Sequence, residues 1–147
     1  MKPRWPTNGH SGKGRGPEVE KSFLRGTWQQ TRSFSPAVIT AGNQTIVWVA
    51  GHTGATADDG RSLAGDFDAQ FHQVFSNIGK TLADAGCNLQ DIVTMTVFLA
   101  DARYTTRMTE MRTGLFGDNF PASAAITVSG FARPEIMLEV QCVAVRP

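Results

Sequence analysis

Phe67, Phe71, Val74, Phe75, Ile78, Leu82 and Ala85 recur at intervals of three and four residues along the chain. That spacing places them on one face of an α-helix. Asp66 supplies an N-cap and Gly86 a stop. A helix of this kind is stable only when its apolar face is covered. The cover is written at the other end of the chain, in "EIMLEVQCVAV". There Ile136, Leu138, Val140, Cys142 and Ala144 alternate onto one side of a strand. Helix and strand together demand a sheet with helices on one face, an α+β arrangement.

The rest of the chain fills in that arrangement. "SFSPAVITAG" and "TIVWVAG" are β-rich runs split by Gly42-Asn43, the signal of a hairpin. "HTGATADDGRSLAGD" is a loop, and "DIVTMTVFLAD" and "ASAAITVS" are strands. "ARYTTRMTEMRTGLFG" predicts a second helix, with Tyr104, Met108, Met111 and Leu115 as its apolar stripe and Asp101 as a cap. The expected order is β-β-α-β-α-β-β, a mixed sheet with two helices packed on one face. Residues 1–22, rich in Gly, Pro and basic residues, read as a flexible basic N-terminal arm, and 23–147 as a single domain. Trp5 and Trp28 offer that arm a way to dock on a partner subunit.

Charge narrows the function classes. The first 25 residues hold six basic and two acidic side chains, while the remainder holds eight basic and eleven acidic. The domain is therefore mildly acidic, and nucleic acid is not an expected partner. Two cysteines and three histidines make no metal-binding cluster, and no metal or cofactor is expected. No stretch has the length of a membrane span or the pattern of a signal peptide, which makes the cytoplasm the expected location and excludes a membrane partner.

The sheet's second face carries a message of its own. Met137, Glu139, Gln141 and Val143 point away from the helices, with Thr94, Thr96 and either Ser123, Ala125 and Thr127 or their neighbours. Glu139 is the single charge there. A solvated sheet face ordinarily carries many, so this one is expected to be covered by further copies of the chain.

"SFSPAV", "VWVAGHTG", "LADAGCNLQDIVTMTVFLAD", "FPAS" and "IMLEVQCVAV", in that order, resemble the RidA/YjgF family of reactive-intermediate deaminases, from about Ser33 to Arg146. The resemblance implies a chorismate-mutase-like fold, a homotrimer, and small-molecule clefts between subunits. It also implies hydrolysis of imines and enamines to keto acids and ammonia. The family's hallmark arginine, which grips the substrate carboxylate, follows Phe-Pro-Ala; here that position is Ser123. Phe34 stands where an aromatic hydroxyl is expected, Thr109 near an expected asparagine, and Ala125 in place of a cysteine. Gly51, whose backbone lines the family site, and Glu139, which matches the glutamate that orients water, are kept.

The candidate catalytic residues are thus Glu139 and His52. A desolvated carboxylate on a covered face suits water activation, and a histidine at a strand end can exchange protons near neutrality. The competing reading makes Glu139 an interface ion-pair partner and His52 a polar rim residue. The candidate substrate-binding residues are Phe34, Gly51, Thr109, Ser123 and Arg133. Ser123 supplies one neutral donor where an arginine would supply a charged fork. A carboxylate would then need Arg133, Arg103 or Arg146, with Arg133 best placed in sequence, and Ser123→Arg should restore the family's grip. Three functions follow. The first is a RidA-type hydrolase of altered specificity; the second is a non-catalytic ligand-binding or regulatory trimer. The third, RNA cleavage, is attached to some relatives by name and has only the basic arm in its favour.

Overall fold

A computed structural model describes residues 19–26 and 31–147 of the 147-residue chain. Eight elements follow one another: β1 (Glu20–Phe23), β2 (Val38–Ala41), β3 (Thr45–His52), α1 (Phe67–Asp84), β4 (Ile92–Leu99), α2 (Thr105–Phe116), β5 (Ala122–Thr127) and β6 (Leu138–Arg146). The main sheet runs in the order β3-β6-β4-β5. β6 is antiparallel to both its neighbours, and β4 and β5 are parallel. Parallel neighbours need a crossover, and α2 is that crossover. The α+β architecture with two helices on a mixed sheet is the expected one, preceded by one further short strand.

α1 forms as its sequence dictates. Asp66 accepts a hydrogen bond from the Ala69 amide at 2.9 Å, and Gly86 takes the positive φ of 72° that ends the helix. Phe67, Phe71, Val74, Phe75, Ile78 and Leu82 are all buried, against Val49, Met95, Val97, Leu138, Val140 and Cys142 of the sheet. Gln70 shares that face and is fully buried. Its amide donates to the carbonyls of Leu63 (3.0 Å) and Glu135 (2.8 Å) and accepts from the Met137 amide (2.9 Å). It ties the helix to two loops without leaving a polar atom unpaired. Gly54 lets the helix come this close, because a Cβ there would lie 2.5 Å from the Gln70 carbonyl oxygen.

Three expectations change. The hairpin between the first two predicted strands does not form. β2 pairs with β1, residue Phe23 opposite Val38, and β3 pairs with β6, Trp48 opposite Val143. β3 has an apolar side to bury under α1, and joining β6 does so. β1 also begins at Glu20, within the stretch 1–22 read as an arm. Lys21 in β1 donates to Asp91 at 3.1 Å, an ion pair 70 residues apart in sequence. The arm's residues 1–18, with Trp5, and also Trp28, lie outside the described residues. Finally, α2 is rotated from its predicted stripe. Its fully buried positions are Met108, Arg112 and Phe116, with Tyr104, Met111 and Leu115 partly buried beside them. Asp101 caps the short 3-10 turn that leads into α2 rather than α2 itself, accepting from the Arg103 amide at 2.8 Å.

Candidate functional site

Register settles which side of β5 faces which layer. Ser123 stands opposite Met95 and Ala125 opposite Val97, both core residues, so Ser123 points toward the helices. Ala122, Ala124 and Ile126 stand opposite Thr94, Thr96 and Phe98 and take the outer face. The outer face is more apolar than its charge pattern alone suggested. Trp48 is 78% exposed there, with Ile46 and Ile126 also exposed. Trp48, Thr94, Thr96, Gln141 and Val143 line a depression of about 410 Å³. An exposed aromatic platform is thus present, but none of those residues carries the positive charge that a nucleic-acid groove needs.

Beneath β5 lies a residue absent from the sequence-based candidates. Arg112 reaches out of α2 into the helix–sheet layer and is only 3% exposed. Its Nη1 donates to the Ser123 hydroxyl at 2.6 Å and its Nε to the Ser33 hydroxyl at 3.0 Å. No carboxylate among the described residues contacts it. Burial pushes its guanidinium pKa down to about 10. Ser35, two residues beyond Ser33, donates its amide to the Pro121 carbonyl at 3.1 Å and bridges Ala122. The segment around half-buried Phe34 is thereby stitched to the start of β5. Thr109, one turn before Arg112, spends its hydroxyl on the Thr105 carbonyl of its own helix. Of Phe34, Thr109 and Ser123, the serine bonds the buried cation, Phe34 lies next to Ser33, which bonds it too, and Thr109 sits three residues before it on the same helix. The sequence signal was an arginine spaced four residues from Met108 and four from Phe116, a charged residue inside an apolar stripe.

The kept family residues form a second group. Glu139 in β6 stands opposite Phe98 on the outer face. Its carboxylate lies on the backbone of Gly51, where a Cβ would sit 2.9 Å from the Glu139 Cδ. No hydrogen bond or ion pair holds it among the described residues. β3 is irregular here, between Val49 and His52. His52 turns toward α1: a carbonyl can only accept, so Nδ1–H donates to Ala50 O at 2.8 Å and Nε2 accepts from the Thr81 hydroxyl at 2.8 Å. Both ring nitrogens are occupied, which makes His52 a latch between β3 and α1.

The two groups do not meet within one chain. Ser123 and Glu139 lie on opposite faces, two strands apart and three residues along β4, a separation of about 14 Å from standard strand spacings. Arg133 joins neither group; it pairs with Glu135 at 3.3 Å and is more than half exposed. Arg103 pairs with Asp101, and Arg146 donates to the Ala85 carbonyl. The two cysteines are buried, and burial raises the Cys142 thiol to about 11, so neither is a poised nucleophile. Among the described residues no cluster could hold a metal ion, and no helix is long and apolar enough to cross a membrane.

Comparison with known proteins shows the family and the fold. The family model described as endoribonuclease L-PSP matches residues 27–146. A RutC family protein of Pyrococcus abyssi is 32% identical over 106 residues, covering 72% of this chain and 81% of that protein. The human 2-iminobutanoate/2-iminopropanoate deaminase is 29% identical over 113 residues, covering 77% of this chain and 80% of the enzyme. Among solved structures, a conserved Rid family protein from Yersinia pestis superposes with a TM-score of 0.73, at 21% identity, over 84% of this chain and 97% of its own. That last likeness shows the shared fold. A match spanning most of the chain, with relatives of similar length, places this protein in the endoribonuclease L-PSP family, the RidA/YjgF family of imine deaminases.

Proposed function

We propose that the protein is a RidA-type hydrolase that converts a small imine, enamine or related C–N compound to its carbonyl compound and ammonia. The observation that carries this reading is the Glu139 carboxylate, held against the Gly51 backbone with no partner among the described residues. An acid left bare beside a backbone that allows close approach is suited to hold a water. Glu139 takes a proton from that water as its oxygen bonds to the imine carbon. The C=N electron pair moves to nitrogen, which is protonated. The resulting carbinolamine then passes its hydroxyl proton by way of Glu139 to the amino nitrogen, the C–N bond breaks as the carbonyl forms, and ammonia leaves. An enamine enters the same sequence after proton transfer to carbon.

The cleft is completed between copies in a homotrimer. Two observations support this: the outer face, which carries Glu139 as its charge and exposes Trp48 on edge strand β3, and the separation of the Ser123 and Glu139 groups within one chain. The substrate's far end meets Phe34 and Ser123 of one copy, while Gly51 and Glu139 come from the next. Specificity differs from that of relatives with an arginine at position 123. The test is ammonia release from 2-iminobutanoate generated in situ. The native protein should exceed the spontaneous rate, and Glu139→Gln should lower that excess by about 100-fold. An excess unchanged in Glu139→Gln removes Glu139 from the chemistry. Ser123 in place of arginine favours a second reading, a ligand-binding trimer without catalysis; it predicts 2-oxobutanoate binding with no ammonia release.

A further inference from the structure

We infer that the anion-recognising charge of the site has moved from β5 to α2, so that Ser123 presents the positive potential of Arg112 to the substrate through its own hydroxyl. This inference rests on the placement of the site proposed above.

Hydrogen-bond direction comes first. A guanidinium has no acceptor, so Arg112 can only donate to the Ser123 oxygen, at 2.6 Å. That leaves the Ser123 proton free to point elsewhere, and the oxygen that carries it is polarised by a cation. Ser123 becomes a donor with a preference for a negatively charged acceptor. Ser33 fixes the other edge of the guanidinium at 3.0 Å, holding the fork in place. Ser123 itself is half-buried, whereas Arg112 is buried, so of the two it is the residue nearer the surface.

Energetics point the same way. A buried cation with two neutral hydroxyls, the Met95 sulfur at 4.0 Å and no carboxylate among the described residues is a poor structural element, because neutral partners offset little of its desolvation. A carboxylate bound at Ser123 would offset part of it. The inference also reverses the expectation for Ser123→Arg. That change would set a second guanidinium beside the first, with no acid between them.

The experiment measures binding, which keeps it separate from the hydrolase reading. 2-Oxobutanoate and its neutral amide are titrated into the trimer at neutral pH. Native protein should prefer the carboxylate by about ten-fold or more, the weight of one charge-assisted hydrogen bond. Arg112→Met should bring that ratio close to one, and Arg112→Gln serves if the methionine variant does not fold. Ser123→Arg alone should bind the carboxylate no better than native protein. Ser123→Arg combined with Arg112→Gln should regain the preference. Native protein that does not distinguish the two ligands, or an Arg112 variant that still does, overturns the inference. Selective binding without ammonia release leaves it standing and rejects the hydrolase reading alone.

Discussion

Gln70 and Arg112 are both polar, both buried, and both sit on a helix face pressed against the same sheet. Gln70 is neutral and makes three hydrogen bonds to backbone groups. Arg112 is charged, bonds two side-chain hydroxyls, and meets no acid among the described residues. The first is the signature of a clasp that stabilises the fold. The second is the signature of a charge held against stability for a ligand, the usual conflict at functional sites.

Mutation should separate the two sharply. Gln70→Ala orphans two carbonyls and an amide and opens a cavity, so stability should fall by about 3 kcal/mol or more. Thermal melting would show this as a drop of roughly 10 °C. A melting point within a degree or two of native would deny Gln70 its clasp role. Gly51→Ala comes next, because its Cβ must push the Glu139 carboxylate aside. Ammonia release should drop by about ten-fold or more while the melting temperature changes little. An unchanged rate would mean that the Glu139 position does not matter. Arg112→Met should have the smallest effect on stability, leaving it unchanged or raising it by about 1 kcal/mol as an unpaired buried charge is removed.

That last comparison has a pH dependence of known sign. Burial places the Arg112 pKa at about 10 in the folded chain, well below the ordinary guanidinium range. The folded state therefore sheds this proton before the unfolded state does. Its handicap is fully present below about pH 10 and is relieved as pH rises through and above that value. Any advantage of Arg112→Met over native protein should hold steady up to about pH 10 and shrink as pH rises above it, as denaturant melts at each pH would show. An advantage that grows over that range would contradict the assignment.

How much of this was legible beforehand depended on how local the cause was. The α1 stripe, its Asp66 cap and the alternation of β6 are local patterns with fixed periods, and they folded as read. β1 was missed because "EKSF" has no alternation; its position depends on Val38 to Ala41 and on Asp91, far along the chain. The α2 stripe was misplaced because a buried arginine looks, in sequence, like a surface residue. Ser123, Phe34 and Thr109 were named through family motifs, yet the cation that Ser123 bonds answers to none of those motifs. The bond between the His52 ring and the Thr81 hydroxyl, 29 residues away, could not be read from the sequence.

Complementation between copies tests the divided site most directly. Ser123→Ala and Glu139→Gln are each expected to retain a tenth or less of native ammonia release from 2-iminobutanoate. The two variants are unfolded together and refolded into mixed trimers. If each cleft takes Glu139 from one copy and Ser123 from the next, random mixing rebuilds about a quarter of the clefts intact, because a repeated head-to-tail interface draws its two sides from different chains. The expected result is a rate near a quarter of native. A rate no higher than the average of the two variants would place both groups of a working site in one chain and contradict the cleft.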